Sequence, residues 1–217
     1  MITRYGFDVY FTVVTLCIVA TVLATLFIEP KLFRYAVYGV SAFFFLFATN
    51  FFRDPNRVTP KDDNLVIAPA DGKVIIVKEV EQSEYIEGTA IQVSIFMSPL
   101  NVHVNRNPIT GIVKHLRYAE GEFFAAYADK ASEKNEQMII GMENGYGKVL
   151  FKQIAGFVAR RVVCELEQDQ SVVAGERFGM IKFGSRVDIF FRPDADVKVS
   201  VGDMTSAGES VLAVYPK

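Results

Sequence analysis

The sequence predicts a mainly β domain, a folded-over sandwich or barrel with one or two helices, preceded by an N-terminal hydrophobic α-helical hairpin. Three observations predict it. Two long uncharged runs occupy the first fifty residues. Beyond Pro55 and Pro60 the chain becomes short β-branched runs punctuated by Gly, Asp and Asn, the pattern of short strands joined by tight turns. Corner motifs then repeat: Pro69-Ala70-Asp71-Gly72-Lys73-Val74 is echoed by Pro108-Ile109-Thr110-Gly111-Ile112-Val113, and Ala174-Gly175-Glu176 by Ala207-Gly208-Glu209. Each glycine supplies a turn that feeds an apolar strand.

The first run, Val9 to Ile28, has 20 residues without a charge, which at about 1.5 Å each reach across a hydrocarbon core of roughly 30 Å. Tyr35 to Phe52 forms the second run, and Pro30 suits the turn between them. The first run is longer than the apolar core of a cleaved signal peptide and lacks a small-residue cleavage pattern. Arg4 precedes the hairpin, Lys31 and Arg34 lie in its loop, and Arg53, Arg57 and Lys61 follow it, a bias toward a cytoplasmic position for what comes after. Residues 1–60 therefore read as a membrane-anchoring hairpin with its linker, and 61–217 as the functional domain. One helix is predicted inside that domain, from Glu122 to Lys134, where Phe123, Phe124, Tyr127 and Ala131 fall on one face.

Composition narrows the chemistry. With 217 residues and a net charge of -2, the chain has no basic stripe for a nucleic-acid backbone. Cys17 and Cys164 form neither a disulfide framework nor a metal cluster, and a reducing cytoplasmic setting suits them. With only His103 and His115, the latter read as structural, no metal site is expected.

Gly184-Ser185 stands at the head of the strand-like run Val187 to Phe191. Alone, such a pair reads as a turn. Asp71 in its Asp-Gly turn and His103 after Met97-Ser98-Pro99-Leu100-Asn101-Val102 each sit at a strand or turn boundary. With Ser185 they make a trio able to activate a hydroxyl.

In these residues the chain resembles the phosphatidylserine decarboxylases, in their short form with an N-terminal hydrophobic hairpin. The resemblance runs nearly end to end, through Ala70-Asp71-Gly72, Met97-Ser98-Pro99 leading to His103, Asp129-Lys130-Ala131-Ser132 with Asn135-Glu136, Ile154-Ala155-Gly156 with Ala159-Arg160-Arg161, and Phe183-Gly184-Ser185. It implies a proenzyme cleaved between Gly184 and Ser185 into a large chain, 1–184, and a small chain, 185–217, that begins with a pyruvoyl group made from Ser185. That group would form a Schiff base with the serine amine of phosphatidylserine, and loss of carbon dioxide would give phosphatidylethanolamine at a cell membrane. His103 is the base candidate, oriented by Asp71; Gly184 offers an unobstructed carbonyl. Arg106, Arg160 and Arg161 are candidates for the lipid phosphate. The family's long form carries a second histidine three residues after the first; this chain has Arg106 there, and an arginine cannot act as a base.

Two alternatives come with this reading. The same chemistry could act on a related serine lipid such as archaetidylserine. Val201-Gly202-Asp203 and Ala207-Gly208-Glu209 are also similar to the biotinyl and lipoyl domains, so the fold is expected to be of that hybrid kind. A non-enzymatic, membrane-tethered carrier is the rival function, but no lysine stands in the modification motif. The two processed chains are expected to stay together, and assembly as a homo-oligomer is left open.

Overall fold

The computed structural model describes residues 1–121, 135–156, 162–182 and 185–217. The helix expected from Glu122 to Lys134 lies outside them, as do Arg160, Arg161 and Gly184. The chain divides into two compact units, Met1–Pro55 and Asn56–Lys217.

In the first unit a short 3₁₀ turn leads into α1 (Phe7–Phe27), and α2 (Lys31–Phe51) returns antiparallel to it. Pro30, with no N–H to lose, caps the start of α2. The carbonyls left open where α1 ends are taken by Arg34, whose Nε donates to Ile28 O at 3.0 Å and whose Nη2 donates to Glu29 O at 3.3 Å. At the far end, Thr3 N–H bonds Phe52 O and Asp54 N–H bonds Met1 O, closing the hairpin on itself. Both helices are long and apolar enough to cross a membrane, and only 6% and 11% of their most apolar windows are buried. Leu16, Leu26, Phe43 and Leu46 are over 60% exposed. Core helices of a water-soluble fold would bury such a surface, because leaving it in water costs about 25 cal/mol per Å².

The second unit is built from fourteen short strands among the described residues. In chain order they are β1 (Leu65–Ile67), β2 (Gly72–Gln82), β3 (Gly88–Met97), β4 (Val104–Arg106), β5 (Gly111–Ala119), β6 (Gln137–Asn144) and β7 (Gly147–Ala155). Then follow β8 (Val162–Cys164), β9 (Ser171–Val172), β10 (Arg177–Ile181), β11 (Ser185–Phe191), β12 (Asp196–Val197), β13 (Met204–Thr205) and β14 (Val211–Val214). The main sheet is antiparallel and curls into a half-barrel in the order β13-β2-β3-β11-β7-β6-β5-β9. Two three-stranded sheets, β4-β10-β8 and β1-β14-β12, complete the unit. This is the mainly β fold that the sequence predicts.

The repeated corner motifs have a structural meaning. Gly72 opens β2 and Gly111 opens β5, and a Cβ on either would stand 2.3 Å from a neighbouring strand's carbonyl oxygen, that of Phe96 or of Glu143. Gly175 and Gly208 have φ of +79° and +78°, a conformation that only glycine adopts cheaply. The two corners also exchange bonds: Ile67 N–H reaches Pro108 O, and Arg106 N–H reaches Pro69 O. Gly208 N–H bonds Ala68 O, just as Gly175 N–H bonds Asn107 O. The unit is thus two similar halves, β13-β2-β3-β11 and β7-β6-β5-β9, meeting at the β11–β7 seam. The core packs inside the curl, with Val74, Val93, Ile95, Val113, Ile140, Phe151, Val187, Ile189, Phe191 and Leu212 buried in one cluster.

Candidate active site

β11 occupies the middle of the main sheet, hydrogen-bonded to β3 on one side and β7 on the other. Its first residue, Ser185, pairs with Met97, the last of β3, and with Ala155, the last of β7. Three chain ends therefore meet at one rim. Alternation along the strand turns Ser185 toward the main core with Val187, Ile189 and Phe191. Ser185 is fully buried, and its Oγ lies 3.2 Å from the Met97 sulfur. Asn135 and Glu136 pin the neighbouring Ala155: Asn135 Nδ2 donates to its carbonyl at 2.6 Å, and its N–H donates to Glu136 O at 2.9 Å.

His103 leads into β4 and is also fully buried. Its Nδ1 is 3.0 Å from the Asn101 carbonyl. A carbonyl only accepts, so Nδ1 carries the proton, and Nε2 is the nitrogen with the basic lone pair. The His103 carbonyl receives Ile181 N–H from the end of β10, four residues before Ser185. Asn105, next but one along β4, places Nδ2 4.0 Å from the same Met97 sulfur and 3.3 Å from Pro69 O. Asp71 closes this turn: Oδ1 accepts the Ala207 N–H at 2.7 Å, and Oδ2 accepts Arg57 Nη2 at 2.8 Å. Met97 thus joins the head of β11 to Asn105, two residues after His103, and Asn105 reaches the Pro69 carbonyl in the turn that carries Asp71. Arg106 is 5% exposed and donates Nη1 to Gly175 O at 2.8 Å. His115 sits on the far half, its Nε2 3.2 Å from Glu84.

Gln153 is a site residue that the sequence reading passes over. It lies on the Ser185 face of β7, fully buried, with Nε2 donating to Asn105 Oδ1 at 2.9 Å. Its Oε1 has no hydrogen-bond partner among the described residues. The signal was available, since Val149, Phe151 and Ala155 share its inward register and a glutamine breaks an otherwise apolar face. Arg57 was read only as a positive charge beside the membrane, yet it is 13% exposed and engaged with Asp71 and Glu209.

On the opposite face of β11 lies a buried ion pair. Arg186 Nε meets Asp188 Oδ1 at 2.5 Å, Arg186 Nη2 donates to Ser94 Oγ at 2.9 Å, and Gln92 Nε2 bonds both Ser94 and Asp188. Burial pushes the Cys164 thiol up to about 11, which keeps it protonated and removes it as a rival nucleophile. Among the described residues no cluster of His, Cys, Asp or Glu could hold a metal ion.

A buried serine hydroxyl at the head of a central strand and a buried histidine of defined tautomer are the parts of an enzyme site, a candidate nucleophile and a candidate base. The family model described as phosphatidylserine decarboxylase matches residues 44–213. The phosphatidylserine decarboxylase proenzyme of Pelodictyon phaeoclathratiforme is 45% identical over 216 residues, 99% of this chain and 100% of that protein. The proenzyme of the same name from Prosthecochloris aestuarii is 44% identical, covering 100% of this chain and 98% of its own length. That from Chlorobaculum tepidum is 48% identical over 169 residues, 78% of each chain. The chain belongs to the phosphatidylserine decarboxylase family and is a carboxy-lyase.

The site suits the pyruvoyl group that this family implies. A buried serine such as Ser185 is the residue type from which that group can form, and Gln153, on the same face of the sheet, has a buried Oε1 with no hydrogen-bond partner among the described residues.

Proposed function

We propose that the chain is a self-processing decarboxylase that converts phosphatidylserine to phosphatidylethanolamine, using a pyruvoyl group made from its own Ser185. The observation that carries this reading is the position of Ser185, fully buried as the first residue of the central strand β11 with its Oγ against Met97. His103 Nε2 takes the Ser185 hydroxyl proton, its ring held by the Nδ1 bond to Asn101. The Ser185 oxygen attacks the Gly184 carbonyl, the peptide C–N bond breaks, and an ester with a free amine results. Loss of the Ser185 α-proton expels the Gly184 carboxylate, and hydrolysis of the resulting dehydroalanine releases ammonia. Residues 1–184 and 185–217 are the products. Asp71 supplies the negative charge that favours the imidazolium formed on the way.

The pyruvoyl group, once formed, supplies a carbonyl that condenses with the substrate amine and takes up the electron pair released with carbon dioxide. His103 then delivers a proton to the substrate α-carbon, and Gln153 Oε1 accepts from the substrate nitrogen. Arg160, Arg161 and Arg106, the last of which donates to the Gly175 carbonyl, are the candidates for binding the lipid phosphate. The hairpin keeps the β domain at the cell membrane, on its cytoplasmic side, where the substrate lies.

Intact-mass measurement of the purified protein tests the reading. Two chains are expected, the 185–217 chain blocked at its N-terminus and reactive toward hydroxylamine and borohydride, and Ser185→Ala is expected to leave one uncleaved, inactive chain. An active wild-type protein that remains a single chain would overturn it. Ester- and ether-linked serine lipids, assayed side by side, would reveal any preference between phosphatidylserine and archaetidylserine.

A further inference from the structure

The two halves of the β unit allow Asp71 to be compared with its counterpart. In the corner Pro108–Gly111 the position of Asp71 is held by Thr110, whose Oγ1 accepts the Ala174 N–H at 3.1 Å. Asp71 Oδ1 does the equivalent for Ala207 at 2.7 Å. Tying down the partner turn therefore needs only one oxygen, and a hydroxyl suffices. Asp71 has a second oxygen that the structural task does not require, and Arg57 Nη2 meets it at 2.8 Å.

Arg57 is held in turn by the other side. Its Nη1 donates to Glu209 Oε2 at 2.8 Å, and Glu209 Oε1 accepts the Val58 N–H at 3.0 Å. The Val58 N–H, and then the Arg57 guanidinium, hold the Glu209 carboxyl below its ordinary range. Burial pulls the Arg57 guanidinium down, but the bonds to Glu209 and Asp71 outweigh it and raise its pKa. One guanidinium thus bridges Asp71 to Glu209, which lies in the segment beyond Ser185. A carboxylate has about four lone-pair directions. The Ala207 and Arg57 bonds, one to each oxygen, fix the orientation of the Asp71 carboxylate.

We propose that Arg57 is a positioning residue for the self-cleavage step, acting through Asp71 and itself held by Glu209. The proposal rests on the reading of Asp71 as part of the processing relay. It assigns Arg57 no contact with the lipid.

The test follows conversion of the full-length precursor to its two chains, by mass and gel, in purified Arg57→Ala, Arg57→Lys, Glu209→Gln and Asp71→Asn proteins. Arg57→Ala is expected to slow cleavage roughly 10- to 100-fold, the usual effect of a small misplacement of a reacting group. Arg57→Lys should recover part of the rate, and Glu209→Gln should slow it less than Arg57→Ala. Millimolar guanidinium should restore cleavage in Arg57→Ala, while sodium at the same ionic strength should not. Wild-type cleavage by Arg57→Ala alongside blocked Asp71→Asn would overturn the role of Arg57 and leave that of Asp71 standing. Wild-type cleavage by Asp71→Asn would instead sink the relay on which the proposal rests. A loss that follows the fall in unfolding midpoint and ignores guanidinium would make Arg57 merely structural. Should Arg57→Ala not fold, Arg57→Lys decides: slowed cleavage at an unchanged midpoint supports the role, and a wild-type rate overturns it.

Discussion

At the residue scale, what a side chain does here depends on which of its atoms are already engaged. His103 is an instance: the Asn101 carbonyl takes Nδ1–H, so the ring has its basic nitrogen at Nε2. Replacing His103 with Gln is expected to leave the fold intact and to slow cleavage by at least about 100-fold, the usual contribution of a positioned base. Time-resolved mass spectra of the precursor would measure it. Gly72 has a different constraint. A Cβ there would meet Phe96 O at 2.3 Å, and a backbone oxygen in a paired strand cannot move aside cheaply. Gly72→Ala should therefore destabilise the protein by at least about 2 kcal/mol in denaturant unfolding. The sequence marks Gly72 well, because a turn glycine is a local signal. It marks Gln153 poorly, since its importance comes from facing the same side of the sheet as Ser185.

At the element scale, β11 carries unlike loads on its two faces. Ser185, Val187 and Ile189 face the main core, while Arg186 and Asp188 form an ion pair with 1% and 0% side-chain exposure. Read as a sequence, Arg-Val-Asp-Ile alternates polar and apolar, which ordinarily means one dry and one wet face. Both faces are dry, because the far side is covered around Phe190, Leu150, Ile139 and Tyr85. Arg186→Met leaves Asp188 charged and buried, and should cost about 3–5 kcal/mol, whereas the double replacement Arg186→Met with Asp188→Leu should recover much of that loss. Chemical denaturation of the three variants would measure both effects. The Arg57–Glu209 contact predicts a pH dependence. Glu209 has a lowered pKa in the folded protein, so its contribution is fully present above its ordinary value of 4.5 and is lost as pH falls through the folded value. The difference in unfolding midpoint between wild type and Glu209→Gln should accordingly shrink as the solution is acidified below that range.

At the scale of the whole molecule, an apolar helical pair and a two-half β unit are separate compact units. Each has its own contacts, with the division falling at Pro55. A chain comprising Asn56–Lys217 retains the entire β core and the Arg57 bridge. It is expected to fold and cleave at close to the full-length rate, but to stop sedimenting with phospholipid vesicles. Loss of cleavage in that chain would mean that the hairpin does more than anchor.

The helical pair was legible at once, because two uncharged runs of about 20 residues are the length and composition that can cross a hydrocarbon core. The β class and the paired corners were legible as well, since turn glycines and β-branched runs act over a few residues. Ser185 was legible only through the motifs around it. The sheet alone brings Met97, Ala155 and Ser185 to one rim, and it alone sets Arg57 on Asp71 and joins both to the turn at 207–209. The reason is physical. Spacing along a strand tells which residues share a face, but what covers that face, and which oxygen finds which guanidinium, depends on contacts whose separation along the chain runs from 14 to 152 positions.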